Sequence, residues 1–354
     1  MDFKKFEERK REHIEFALAS ESQASGHSGL GNVHLFHDAL PDLDFSEITL
    51  ASLRFGKPSP SPFFVAAITA GHDDSFRLND TIAACAGRHQ WVFGTGSLRR
   101  EVESLDTYWL DAWKDFRHRH PKLVIHANIG ISQLLYVSFD NLKRVIDVLQ
   151  AEALAVHLNP LQECLQTEGT PKFRGSLKAL EKLCAQASYP VVLKETGSGF
   201  SKSTISKIAD IGISAIDISG LGGTHWGRIE GSRAKRKNVN DLKALASETF
   251  ANWGESTVDS LVAVKECSPN NEVWASGGVR SGLDAAKLIA LGARQVGYAQ
   301  PILEAAIKGE EALDGWMEQQ EFELKIALFC TNCNSPLTLQ SKRGVLKEVW
   351  KAKT

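Results

Sequence analysis

No stretch of this chain is long and apolar enough to suggest a membrane span. Phe63–Ile68 is apolar but only six residues long, against the ~18 needed to cross a bilayer. An apolar leader is missing too: MDFKKFEERK is charged from the first residues, which excludes a secretory signal and makes the cytoplasm the expected location. Neither sign of charge dominates. With 41 Lys+Arg against 43 Asp+Glu the net charge is −2, so the balance carries no nucleic-acid or membrane footprint. Cysteines are few: Cys85, Cys164, Cys184, Cys267, Cys330 and Cys333. Only FCTNC (329–333) has ligand-like spacing. A closed zinc site takes about four ligands and there is no second pair, so this one is expected to be incidental, with its thiols reduced. No tandem repeat and no low-complexity linker interrupts the chain. What remains is 354 residues, 43% hydrophobic and 24% charged, enough for a large buried core.

Eight short β-rich runs recur: PFFVAAI (62–68), WVFGTGS (91–97), LVIHANI (123–129), EALAVHL (152–158), PVVLKET (190–196), ISAIDIS (213–219), EVWASGG (272–278) and QVGYA (295–299). Most are continuously apolar, as strands buried on both faces should be. Helix-like segments such as 74–89 and 281–293 lie between them. The expected fold is α/β, a single-domain (β/α)₈ TIM barrel, with a doubly wound open sheet as the alternative. The strand ends favour the barrel, because polar or glycine-rich groups follow nearly every run: TAGH, GTGS, NIG, HLNPLQE, KETGSG, SGLGGTHW, SGGVRSG and AQP. Barrel enzymes collect their site from the C-terminal ends of several strands. Expected units are a helical extension over 1–60, the barrel over 61–330 and a tail over 331–354. The long interval 220–271 contains SRAKRKN (232–238), expected to be a solvated mobile loop or, less simply, a lid.

Several motifs carry chemistry. In HLNPLQE, strand alternation sets His157 and Asn159 on one side, Pro160 stops the ladder, and Gln162 and Glu163 are expected in the loop beyond. ASGGVRSGLDAAKLIALGA (275–293) is strand, glycine turn and helix, whose free N–H groups can hold a phosphate; Ala299 and Gln300 follow the eighth strand. A tight turn without a ligand is the plainer alternative. DISGLGGTHWGRIE (217–230) brings Ser219 and Thr224 as donors. Lys194 ends the fifth strand, where burial requires an anionic partner, either a ligand or a carboxylate such as Glu195. In RKREH (9–13), Arg9 and His13 share a helix face, which by composition alone is a charged helix surface.

Taken together, RKREH, HDALPDLDFSEI, ITAG, GTGSLR, ANIG, HLNPLQE, EG, KETGSG, SGLGGTHW and SGGVRSG resemble, in family order, the type 2, flavin-dependent isopentenyl-diphosphate isomerases. The resemblance implies an FMN-bound barrel that interconverts isopentenyl and dimethylallyl diphosphate in isoprenoid biosynthesis, with Mg²⁺ and a flavin kept reduced by NADPH. It implies Glu163 as the Mg²⁺ ligand, Gln162 beside the isoprenoid double bond, and His157 and Asn159 at the substrate, these three being the catalytic candidates. Arg9, Lys10, His13, Ser97 and Arg99 are implied for diphosphate. Ala67, Ile68, Thr69, Ser97, Asn128, Lys194, Ser219 and Thr224 are implied for FMN, with Gly277, Gly278, Val279, Arg280, Ala299 and Gln300 at its phosphate end. A homotetramer or homo-octamer is implied, with no nucleic-acid or membrane partner.

A double-bond shift adds one proton and removes another without net redox change. The motifs supply no strongly acidic pair, and reduced flavin offers the missing proton chemistry. The family's usual MTGG is ITAG here, placing Ala70 for glycine, and the usual acid after EG is Thr170. Leu98 and His225 also depart from the pattern. Two other readings are weighed. One is an FMN oxidoreductase of the 2-hydroxy-acid oxidase type, whose His-Gly-Gly-Arg stretch corresponds to LGGTHWGR here. The other is a flavin and isoprenoid-diphosphate binding protein without catalysis.

Overall fold

The computed structural model describes residues 3–67, 73–103, 108–342 and 344–346. All eight β-rich runs form parallel strands of one closed barrel: β3 (Phe63–Val65), β4 (Val92–Gly94), β5 (Ile125–Gly130), β6 (Ala153–Leu158), β7 (Val191–Glu195), β8 (Ala215–Asp217), β9 (Glu272–Ala275) and β10 (Gln295–Tyr298), with β10 closing onto β3. The open sheet is thereby excluded. Two strands were not expected, β1 (Ser52–Arg54) and β2 (Lys57–Ser59), an antiparallel hairpin. They are too short for a two-residue period to be visible, and Pro58 and Gly56 read as loop.

Strand alternation divides the core in two. Phe64, Ala66, Val92, Ala153, Ala155, Val192, Ala215 and Trp274 form a small cluster inside the barrel. Phe63, Val65, Ile129, Val156, Leu193 and Ile216 join the larger layer shared with the surrounding helices. Phe55 of the hairpin packs on Trp274 and His126, ring centroids 5.2 and 5.8 Å away. The same inward face, followed along the strands, carries Asn128, His157, Lys194 and Asp217. Register places His157 beside Lys194 and Lys194 beside Asp217. Four polar side chains thus share the inner face at the strands' C-terminal ends.

Three helices position the site: α1 (Phe3–Leu18), α2 (Pro160–Leu165) and α3 (Trp226–Lys237). Among the described side chains of α1, Arg9, Glu12, His13, Phe16 and Ala17 are buried, spaced i, i+3, i+4, i+7, i+8. The inward stripe of this helix is therefore polar over 9–13 and apolar at 16–17. Its apolar end, Phe16 and Ala17, packs with Ile229 and Leu303. Two expectations are corrected. Gln162 and Glu163 lie on α2, not in a loop, because Pro160 at the first helical position starts a helix as readily as it ends a strand. SRAKRKN is not a loop: residues 232–237 are the second half of α3, and Lys235, Arg236 and Lys237 occupy its last turn, where cations complement the helix dipole.

Cys333 is buried and donates to the Thr331 carbonyl at 3.4 Å. No group of three His, Cys, Asp or Glu suited to a metal occurs among the described residues, and no described helix is long and apolar enough to cross a membrane. At the barrel's N-terminal end, Arg54 Nε donates to Glu152 at 2.7 Å and His126 Nε2 lies 3.1 Å from the same oxygen. Burial alone would raise the Glu152 carboxyl, but these partners bring it down to about 2. A depressed carboxyl stabilises the fold above its ordinary pKa of 4.5 and loses that contribution as pH falls toward about 2. Thermal melts of the wild type and Glu152→Gln between pH 7 and pH 2.5 should converge as the acid is approached; a constant difference in Tm would contradict the assignment.

Candidate active site

A cleft opens at the C-terminal end of the barrel, lined by α1, the ends of β5 to β7 and α2. It adjoins a second space over the two glycine-rich loops. Ala67, Lys194, Thr196 and Trp226 line both, so the two form one site with a polar half and a glycine-loop half.

The polar half is organised around Glu230 on α3, which is 1% exposed. Its Oε1 accepts from His13 Nε2 at 2.8 Å and from Gln162 Nε2 at 3.2 Å. Its Oε2 accepts from Arg233 at 2.6 Å. Burial opposes the charge, yet His13 and Arg233 hold the Glu230 carboxyl at about 2. Burial drives His13 down to about 4, so it is a neutral imidazole carrying its proton on Nε2. Trp226 stands edge-on to it at 5.0 Å. Gln162 is held at its other end by Asn159, whose Nδ2 donates to the Gln162 oxygen at 3.0 Å and to Glu163 Oε1 at 3.1 Å. The second Glu163 oxygen accepts from the Thr170 backbone N–H at 2.5 Å. That bond comes from the main chain, so the Thr170 departure leaves it intact. With its amide turned, Gln166 donates to Glu230 at 3.1 Å and accepts from Arg9 at 3.0 Å.

His157 faces Asn128 across β5 and β6, Nδ1 to Oδ1 3.0 Å. Burial, reinforced by the Lys194 and Lys10 charges, pushes it down to about 3. Lys194 does not pair with the Glu195 carboxylate. Its ammonium donates to the Glu195 backbone carbonyl at 3.0 Å and lies 3.6 Å from Asp217 Oδ2. Alternation turns the Glu195 side chain to the other face, where it accepts from the Thr196 and Ser198 amides. Asp217 also accepts from Ser276 at 2.7 Å.

In the other half, Gly277 and Gly278 have φ of +101° and +73°. A Cβ on Gly278 would stand 2.6 Å from the Gly222 backbone, and one on Gly277 2.2 Å from the Gly220 carbonyl. Glycine is thus required here by the approach of two loops to each other, not only by a ligand. Ser219, Thr224, Val279, Arg280, Ala299 and Gln300 line the resulting space. Arg280 is drawn to Gln23 at 2.9 Å and Gln300 to Glu304 at 3.3 Å. Ser97 and Arg99 line the polar half, Arg99 bonding Glu103 at 3.0 Å. Ile68 and Thr69, and the Ala70 departure, lie outside the described residues. The remaining expected residues converge on one site. Glu230, Arg233, Gln166 and Asp217 were missed. Glu230 and Arg233 carry a signal, an i, i+3 acid–base pair, but the basic run 232–238 reads locally as a loop.

The FMN-dependent dehydrogenase family matches residues 137–345, and flavin-binding barrels of that class are what the fold and the two-part site define. Two solved structures share the fold at low sequence identity. A mandelate oxidase with (S)-2-phenylpropionate aligns at TM-score 0.62 and 18% identity over 96% of both chains. A flavocytochrome b2 variant with benzoylformate aligns at TM-score 0.67 and 18% identity, over 95% of this chain and 81% of that one. Nearer relatives are curated isopentenyl-diphosphate delta-isomerases. That of Legionella pneumophila (strain Paris) is 45% identical over 93% of this chain and 95% of its own length. That of Bdellovibrio bacteriovorus is 45% identical over 96% and 98%, and that of a Synechococcus strain 38% over 96% of each. The chain belongs to the isopentenyl-diphosphate delta-isomerase family.

The glycine loops and the buried Lys194 test whether FMN suits the site, and they agree with it: backbone amides and hydroxyls at one end, an ammonium in the barrel mouth. Gly278→Ala should force the 222 and 278 turns apart and weaken FMN binding at least tenfold, read by fluorescence titration, while circular dichroism still reports a folded barrel. Unchanged FMN affinity would separate these loops from the flavin.

Proposed function

We propose that this chain interconverts isopentenyl and dimethylallyl diphosphate on reduced FMN, with Gln162, His157 and Asn159 at the reacting end and a cationic α1 over the diphosphate. The observation that carries the reading is the cleft's split character. Arg9, Lys10, Arg99 and the amide of Gln162, fixed between Asn159 and Glu230, line the polar half, and Lys194 lines both that half and the space over the glycine loops.

FMN would be held by Ala67, Asn128, Lys194, Ser219 and Thr224, with Gly277, Gly278, Val279, Arg280, Ala299 and Gln300 at its phosphate. Reduced FMN supplies an electron-rich face and an exchangeable proton, chemistry the side chains lack. The chain's own groups do the rest. His13 and His157 stay neutral at pH 7, so neither is a strong acid nor an added cation, and both offer directed hydrogen bonds. Gln162 cannot titrate and serves to orient. Glu163 is the lone carboxylate we assign to Mg²⁺, which commonly takes one or two carboxylates and completes its shell with water and substrate phosphate oxygens. Arg9, Lys10, His13, Ser97 and Arg99 would bind the diphosphate. NADPH as reductant, a cytoplasmic location and assembly as a homotetramer or homo-octamer belong to the same proposal.

The oxidase alternative loses its base. Matched on its glycine pair, the His-Gly-Gly-Arg stretch falls on Leu221-Gly222-Gly223-Thr224, so a leucine stands where the histidine would be, and the nearby His225 is buried with Nε2 3.2 Å from the Trp253 carbonyl and Nδ1 accepting the Arg228 amide at 3.3 Å. Burial lowers it to about 4, and it does not line the cleft.

An anaerobic assay with FMN, NADPH, Mg²⁺ and isopentenyl diphosphate should yield dimethylallyl diphosphate only with reduced flavin. Glu163→Ala should lower kcat/KM by at least 100-fold, and Gln162→Ala should lower kcat. Flavin-loaded protein that forms no product would sink the reading, and full turnover in Gln162→Ala would remove that residue from it. Burial, then the neighbouring Arg9, pushes Lys10 down to about 7. A bound polyanion would raise it again, so diphosphate binding at pH 8 should take up close to one proton and at pH 5.5 almost none. Calorimetry in buffers of differing ionisation enthalpy measures this directly.

A further inference from the structure

Arg233 belongs to the basic run 232–238 and does not line the cleft, yet it is 4% exposed. Its guanidinium joins three segments. Nε donates to Glu12 on α1 at 2.8 Å, and Nη1 donates to Glu230 on α3 at 2.6 Å. Glu168, just beyond α2, lies 3.5 Å from Nη1. Glu230 in turn holds both His13 of α1 and the Gln162 amide. The helix bearing the cleft's cations and the Gln162 amide are therefore tied through the Glu230 carboxylate, which the Arg233 guanidinium braces against Glu12 of that helix.

We propose that Arg233 is a positioning residue that couples diphosphate binding on the N-terminal helix to the orientation of Gln162. The proposal rests on the isomerase reading above. Two physical arguments support it. Glu12, Glu230 and Glu168 are acids gathered beside a site that must accept a polyanion, and without a shared cation they repel one another and the ligand. A planar guanidinium engages two carboxylates on different helices at once, whereas a lysine ammonium is a point charge without that fork. Three residues further along α3, Arg236 bonds Glu15 of the same helix pair, but in solvent. An exposed pair of this kind contributes little, which makes it the internal comparison.

The test uses the full chain loaded with FMN, comparing wild type, Glu12→Ala, Arg233→Lys and Arg236→Ala. Inorganic diphosphate binding is measured by calorimetry, and KM and kcat by the anaerobic assay. In Glu12→Ala the Glu230–Gln162 bond survives, so diphosphate affinity and KM should each worsen about tenfold while kcat stays within twofold. Arg233→Lys should worsen KM similarly and also lower kcat about tenfold, with FMN affinity unchanged. Arg236→Ala should leave all constants within twofold. Unchanged diphosphate affinity in Glu12→Ala and Arg233→Lys would overturn the proposal, as would a loss of FMN binding in parallel with diphosphate binding, which marks a merely structural role. If Arg233→Lys fails to fold, Glu12→Ala decides alone. Wild-type protein that binds no diphosphate would instead remove the isomerase reading and the proposal with it.

Discussion

The structure around the site depends on one buried charge. Glu230 is ionised with almost no access to water, and an unpaired carboxylate in that position would cost several kcal/mol. Its two oxygens accept from the N-terminal helix, from the start of the helix after β6 and from its own helix one turn on, with Gln166 adding a further donor. Among the described side chains of the N-terminal helix, the buried positions before Phe16 are Arg9, Glu12 and His13, so polar pairing holds that stretch inward.

Burial explains the protonation states. It penalises a cation on His13 more than the Glu230 carboxylate rewards it, and on His157 the Lys194 and Lys10 charges add to the penalty, so both imidazoles are neutral. Glu230 stays ionised and His13 neutral across the neutral range, so the hydrogen bonds that Glu230 accepts do not change there. Deeper in the barrel, Lys194 is set between the Glu195 carbonyl and Asp217. The ammonium is thereby placed where the two halves of the site meet.

Much of this was legible from the residues. Continuous apolar runs with polar or glycine endings point to a closed parallel barrel, and the eight strands form where the runs lie. Period-two alternation sets His157 and Asn159 on one side, whereas the placing of Lys194 between His157 and Asp217 comes from the strand register of the barrel. The misreadings have a common cause. Pro160, the glycines of 219–231 and the basic run 232–238 are locally ambiguous, since proline begins helices as well as ending strands, and a charged segment can be a buried clamp if its partners come from elsewhere. Arg233 is bonded to Glu12, 221 residues away, and no local pattern records that.

The sequence by itself determined the strand periodicity and the polar residues at the strand ends, because each follows from backbone geometry over a few residues. Tertiary structure alone decided which lysine partner is used, that Gly277 and Gly278 are needed for loop-to-loop approach, and that Glu230 and Arg233 join the N-terminal helix to Gln162. Those outcomes depend on the distance between groups far apart in the chain, and on a burial that turns ordinary acids and bases into obligate pairs.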